Sequence, residues 1–272
     1  MQKLNKFRVI LIIILSFTLC FSVIYIASVL NQRSRAEVRS EELQFLARTS
    51  ENYIQNDNDN RLHTSSDLQQ LTTPNEERDI PIDFQAFWQL NPDIHAWITI
   101  PGLEIDYPIL QSAEDSLFYL NHTVDREYRV QGSIFTQYDN ARDFSDPHTI
   151  IYGHNMPDGT KFGALYQYLG AMFMASHDRI IIYTPENVFI YRIFAAITYD
   201  DRHLLDSFDF AIPSEIERFL DSLRQVNNVQ VNWNPRVTVE TSDTFITLST
   251  CTQRRNQRLL IIAILENRQY EP

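Results

Sequence analysis

The residues able to do chemistry fall in two short stretches. Thr247-Leu248-Ser249-Thr250-Cys251 ends on a thiol, and Arg258 follows seven residues later. Thr244 to Thr250 has the pattern of a strand, with Phe245 and Ile246 early and small polar residues late. Arg258 to Leu265 is an apolar run suited to a strand buried on both faces, and the polar residues Thr252 to Gln257 between them read as a loop. Two consecutive strands joined by a short loop are most simply antiparallel neighbours. Cys251 then ends one strand and Arg258 begins the next, at the same end of the sheet. A guanidinium beside a thiol favours the thiolate and can hold an anion. The second stretch centres on His154. It follows the apolar strand Thr149-Ile150-Ile151-Tyr152 and precedes the turn-rich Asn155-Met156-Pro157-Asp158-Gly159. Scaffolds present side chains to a pocket from such strand ends.

The elements that must position these residues are mostly strands. Short strands are expected at His95–Ile100, Ile105–Leu110, Gly132–Gln137, Thr149–Tyr152, Arg179–Thr184, Val188–Tyr199, Arg236–Glu240, Thr244–Thr250 and Arg258–Leu265. Pro101-Gly102 and Pro185-Glu186-Asn187 supply turns between consecutive strands. Many short strands at this spacing point to a closed or nearly closed barrel, which leaves few exposed edges. Asp83 caps a short helix carrying Phe84, Phe87, Trp88 and Leu90, and Asn91-Pro92 ends it. A second helical turn is expected over Lys161–Tyr168. A third helix runs from Ser214 to Val226, where Ser214 and Glu217 form a capping box and Ile216, Phe219, Leu220 and Leu223 make the apolar face. That helix lies in the long connection from Asp200 to Pro235. Such a connection can serve substrate binding or simply cover the barrel.

The chain has 272 residues and a net charge of -12. Residues 1–30 hold Lys3, Lys6 and Arg8 and no acid, so the remainder is more acidic still. Such a body repels phosphate, and no nucleic-acid partner is expected. Val9 to Leu30 carries no charge and is long enough to span a bilayer as a helix. The expected order is a cytoplasmic tail over 1–8, a transmembrane signal anchor over 9–30, and a helical and polar stalk over 31–79. The catalytic body then covers 80–272, outside the membrane. Cys20 sits in the apolar run, so Cys251 is the lone thiol of the body and has no disulfide partner there. No metal-ligand spacing occurs, and neither a metal nor a cofactor is expected.

Thr149-Ile-Ile-Tyr-Gly-His-Asn-Met-Pro-Asp-Gly-Thr-Lys-Phe-Gly-Ala-Leu165 resembles the histidine segment of class B sortases, and Thr247–Cys251 with Arg258 resembles their cysteine and arginine segments. Asp83-Phe84, Asn91-Pro-Asp93, Trp97–Gly102, Tyr107–Gln111, Tyr119–His122 and Gly132–Phe135 resemble the same family in the same order. Sortases are membrane-anchored cysteine transpeptidases of Gram-positive bacteria. The resemblance implies a mostly β fold. The implied fold is an eight-stranded sortase barrel with N-terminal helices and a helix in the long connection before the seventh strand. It implies that Cys251 attacks a threonine carbonyl in a sorting-signal peptide of a secreted surface protein. An amine of a cell-wall precursor or a pilin then takes the acyl group. His154 is the implied general acid and base. Arg258 holds the peptide and its oxyanion, with Arg254 and Arg255 as rivals in the same loop. Tyr152, Ser249, Thr250 and Ser116 are candidate substrate-binding residues. Ser116 stands where the family often has Asn, and Ala96 where it often has Gly.

Other cysteine chemistries fit less well. A papain-like protease needs its cysteine before its histidine, at a helix start. A cysteine phosphatase needs five residues between cysteine and arginine and a glycine-lined loop, whereas six residues intervene here and none is glycine. The remaining rival is a non-catalytic, membrane-tethered binding protein. It has no need of Cys251, His154 and Arg258 in these contexts.

Overall fold

The computed structural model describes residues 14–28, 38–39, 41–47, 80–226, 230–252 and 256–270. It divides into two units, residues 1–46 and 47–272. In the first unit, residues 14–28 are helical and exposed along their length. The ends of the expected anchor and most of the expected stalk lie outside the described residues. Among the described residues, no helix is long and apolar enough to cross a membrane.

The second unit opens with helix α1 (Phe84–Leu90). Asp83 caps it as its sequence suggests, its Oδ1 accepting from the Ala86 N–H at 3.0 Å. Nine strands follow: β1 (Ile94–Ile100), β2 (Ile105–Leu110), β3 (Ile134–Thr136), β4 (His148–Tyr152), β5 (Arg179–Tyr183), β6 (Asn187–Asp200), β7 (Val231–Trp233), β8 (Phe245–Cys251) and β9 (Gln257–Tyr270). Their order is β5-β1-β2-β3-β4-β8-β9-β6-β7, and β5 also pairs β6. That extra pairing closes eight strands into a barrel and leaves β7 as an appendage on β6. The fold is the mostly β, eight-stranded barrel expected.

The turns work as their residues dictate. Gly102 adopts φ 90° and Leu103 N–H returns to Ile100 C=O at 3.1 Å, a tight reversal that needs glycine at its third position. Between β5 and β6, Thr184 and Asn187 bond to each other through both backbone and side chain.

Alternation along each strand splits the core in two. One set, including Ile98, Ile109, Ile151, Ile246, Leu248, Leu259 and Ile261, fills the barrel. The other, including Ile150, Ile197, Phe245, Leu260 and Ile262, lies on the outer face. There the β6–β8 connection covers it. Helices α3 (Leu204–Ser207) and α4 (Pro213–Arg224) bring Leu204, Ile216, Phe219, Leu220 and Leu223 onto that face. Helix α2 (Ala171–Ser176) and a 3-10 stretch (Gly163–Leu169) cover one barrel mouth, the stretch contributing Leu165 and Tyr168 to the inner core.

Three local expectations are corrected. The strand of this connection is β7 at Val231–Trp233, not Arg236–Glu240. Asn234 explains the shift: its N–H and side-chain amide take the Phe194 and Ile193 carbonyls, and Pro235 then interrupts the edge. Val237 and Val239 pack on the outer cluster without strand pairing. Helix α4 starts at Pro213 after Ile212, without a side-chain cap, so Ser214 lies inside the helix. Proline's fixed φ preorganises that first turn. The expected helix over Lys161–Tyr168 is the 3-10 stretch Gly163–Leu169.

Phe219 is the keystone of the outer cluster, fully buried against His148, Phe208 and Phe210. Phe219→Ala is expected to cost about 3–5 kcal/mol, as aromatic truncation in a packed core does. Urea unfolding of the full chain, read by tryptophan fluorescence, measures this loss.

Candidate active site

Three adjacent strands build the site. β4 runs parallel to β8, and their last pair is Tyr152↔Ser249. Gly153 N–H extends the contact by donating to Ser249 C=O at 3.2 Å. His154 stands two residues beyond Tyr152, and Cys251 two residues beyond Ser249. β8 in turn pairs antiparallel with β9, with Cys251 directly opposite Arg258. The register therefore brings His154, Cys251 and Arg258 to one end of three neighbouring strands. Alternation sets Cys251, Ser249, Arg258 and Leu260 on the outer face. Cys251 is exposed, while His154 and Arg258 are half-buried. Thr252 N–H and hydroxyl both reach Gln257 C=O at 3.3 Å, next to the Cys251–Arg258 pair. Arg254 and Arg255 lie outside the described residues.

The candidate substrate residues separate by face. Ser249 is buried beside Cys251 on the outer face. Tyr152 packs on the outer cluster and stacks on Phe135 at 5.4 Å between ring centres. Burial raises the Tyr152 pKa, as do the charges of Asp139 and Asp206, while Arg258 opposes them. Thr250 projects from the opposite face of β8, toward the barrel, where its hydroxyl is buried with no hydrogen-bond partner among the described residues. Ser116, half-buried with its hydroxyl likewise unpartnered, belongs to the segment that leads into the 3-10 turn Phe118–Leu120. That turn reaches the site through its backbone: Leu120 C=O lies 2.7 Å from His154 Nε2.

Several contributors were not legible in the sequence. Leu120 acts through a main-chain oxygen, which no side-chain pattern reveals. Tyr166 is one of several tyrosines in its segment. Burial raises its pKa, and the electrostatic influence of Cys251 adds to the rise. Lys161 backs the histidine loop. Asn155 and Lys161 form an isolated bridge, Phe162 N–H donates to His154 C=O at 3.0 Å, and Lys161 Nζ sits 4.6 Å from the centre of the Tyr107 ring. The other histidines on strands differ in kind. His95 and His148 are buried, and desolvation lowers their pKa values to about 4 and about 3. His148 Nε2 meets Thr247 Oγ1 at 2.7 Å, and its ring lies edge-on to Phe210. Both are neutral packing residues.

A mostly β barrel with a thiol, an imidazole and a guanidinium at one end of three strands has the layout of an acyl-transfer enzyme. The comparisons agree. Residues 98–266 match the sortase domain model. Sortase B of Listeria monocytogenes is 36% identical over 180 residues, covering 66% of this chain and 71% of that protein. Sortase B of Staphylococcus aureus is 29% identical over 199 residues, covering 72% and 79%. The Staphylococcus aureus sortase B–substrate complex superimposes with a TM-score of 0.59 at 29% identity, covering 67% of this chain and 83% of that one. The Listeria monocytogenes sortase B structure gives 0.57 at 35% identity, covering 67% and 100%. The chain belongs to the sortase family and is a cysteine transpeptidase of the sortase B kind.

Lys161 gives this site a measurable pH signature. Burial lowers its pKa from 10.5 to about 8. Between those values the unfolded chain binds the proton that the folded chain has lost, so stability from this residue rises with pH through that window. Lys161→Met removes the desolvated amine. Its stability relative to the parent is expected to be highest near neutrality and to decline from pH 8 to 10.5, by urea unfolding at each pH. A constant difference would mean that the amine is not desolvated.

Proposed function

We propose that this chain is a membrane-anchored transpeptidase that cleaves a sorting-signal peptide at a threonine carbonyl. The thiolate of Cys251 adds to that carbonyl, the oxyanion forms, and the C–N bond breaks to leave a thioacyl enzyme. His154 gives a proton to the departing amine. An amine of the cell wall or of a pilin then attacks the thioester and loses its proton to His154, and Cys251 leaves as thiolate. Arg258 is charged at every working pH, so its role is to hold the peptide and the oxyanion. Tyr152, Ser249 and Ser116 line the peptide's path, and Thr250 contributes from the barrel side. The observation that carries this reading is the register that aligns Cys251 with Arg258 across β8 and β9 and ends β4 two residues short of His154.

The anchoring half rests on residues 14–28. They form a helix with large apolar side chains such as Phe17 and Phe21 exposed, as lipid contact requires. Lys3, Lys6 and Arg8 precede it and Arg33, Arg35 and Arg39 follow it, so basic residues alone balance, and the short N-terminal tail with its free amine is what favours an inside N-terminus and a catalytic body outside.

The full chain, incubated with a library of fluorogenic pentapeptides, should release product at one bond, identified by mass spectrometry. Cys251→Ala and His154→Ala should abolish it, and Arg258→Ala should lower kcat by about 10²-fold or more, as loss of an oxyanion donor does. Full turnover in Arg258→Ala would remove it from the reaction. Labelling of Cys251 by a vinyl sulfone should be blocked by the cleaved peptide, and labelling indifferent to peptide would count against the enzyme reading.

A further inference from the structure

The hydrogen bond at the His154 ring decides which nitrogen is free to exchange a proton. A carbonyl oxygen can only accept, so Nε2, 2.7 Å from Leu120 C=O, must carry a hydrogen in the neutral ring. We propose that the Leu120 carbonyl is the orienting partner of His154, locking the Nε2–H tautomer so that Nδ1 is the nitrogen that gives and takes the proton. The proposal rests on the reading of His154 as acid and base.

The carbonyl is held in place by a set of buried contacts around it. Tyr119, immediately before it, is 1% exposed; its hydroxyl donates to Asp93 Oδ2 at 2.6 Å and accepts from Asn91 Nδ2 at 2.9 Å. Arg126 Nη1 donates to the same Asp93 oxygen at 2.7 Å and lies over the Phe118 ring. Asn91 also donates to Val124 C=O, closing the segment on itself. The Tyr119 carbonyl takes Ser133 N–H at 2.9 Å. Gly132 adopts φ 52°, and a Cβ there would stand 2.3 Å from the Leu120 oxygen. Glycine is what lets the returning chain pass so close to that oxygen without displacing it. On the other side, Phe162 N–H and the Asn155–Lys161 bridge fix the backbone of His154. Both ends of the bond are thus set by packing that involves neither Cys251 nor substrate.

The consequence for the reaction is definite. In the acylation step the imidazolium carries hydrogen on both nitrogens. Nε2–H stays on Leu120 C=O, and Nδ1–H passes its proton to the departing amine as the C–N bond breaks. In the second step the Nδ1 lone pair takes the proton of the incoming amine as the new C–N bond forms and the C–S bond breaks. The Leu120 bond persists throughout and strengthens whenever the ring is charged, as charge-assisted bonds do. It plays the part of the acid that orients the histidine in a serine triad, filled here by a main-chain oxygen.

Two measurements test this. In the full chain labelled with nitrogen-15 at histidine, at a pH where the ring is neutral, His154 should show a pyrrole-type Nε2 and a pyridine-type Nδ1. The opposite pattern would overturn the proposal even in a fully active enzyme. Replacing Asn121 with its α-hydroxy-acid analogue turns the 120–121 amide into an ester and weakens the Leu120 oxygen as an acceptor. The lost Asn121 N–H makes only a 3.5 Å contact to Phe118 C=O, so little else changes. The ester should lower kcat about tenfold with KM nearly constant, as loosening the orientation of a proton-transfer group does. An unchanged kcat, or a loss confined to KM, would refute the orienting role. Loss of the catalytic reading itself would show differently, as full activity in His154→Ala.

Discussion

Everything at this site depends on one hydrogen-bond ladder, the register that joins β4 to β8 and β8 to β9. A slip of one residue would turn Cys251 toward the barrel and Thr250 outward. What prevents the slip is not any contact among the three reactive side chains. Ile246 and Leu248 must lie inside the barrel and Phe245 outside it, and Leu259 and Ile261 impose the same choice on β9. The core of the barrel therefore sets the chemistry at its mouth. This also explains why the reactive residues come from segments nearly a hundred residues apart: a parallel β4–β8 pair is a long-range contact, made only when the barrel closes.

The same ladder separates the buried histidine His148 from His154, the proposed acid and base. His148 begins β4, where the strand is sandwiched between Thr247 and an aromatic cluster, and its charge is suppressed by burial. His154 follows the same strand by two residues and escapes that burial. Six residues along one chain segment separate an imidazole used as a neutral packing piece from one that is only half-buried. Burial, and not residue type, makes the difference.

The sequence carried this much because the strands are strongly patterned and bounded by proline and glycine turns. The barrel, the helix on the long connection and the clustering of Cys251 with Arg258 all follow from side chains that can be read one at a time. What escaped has a common physical character. β7 was displaced because Asn234 competes for backbone carbonyls of β6, a tertiary bond that alternation at Val237 and Val239 does not register. The start of α4 moved because proline at its first turn did the work assigned to a serine cap. Leu120 was invisible because its contribution is a carbonyl oxygen, aimed by Tyr119, Asp93 and Gly132.

A nucleophile has to be both fixed and open, and these demands conflict. A side chain rigid enough to align with a carbonyl is usually buried, and a buried thiol cannot meet a peptide. The end of a strand resolves the conflict within one residue. Ser249 and Thr250 are 7% and 2% exposed, locked in the β8 ladder, while Cys251 is still paired with Arg258 yet open to solvent. Beyond it the ladder stops, and the Thr252–Gln257 contacts turn the chain away. Cys251 takes its position from the strand behind it, which ends at this residue. His154 and Arg258 sit at the same boundary on the neighbouring strands. The proposed site is therefore a line across the ends of three neighbouring strands, where the sheet sets the backbone positions of the three candidate side chains.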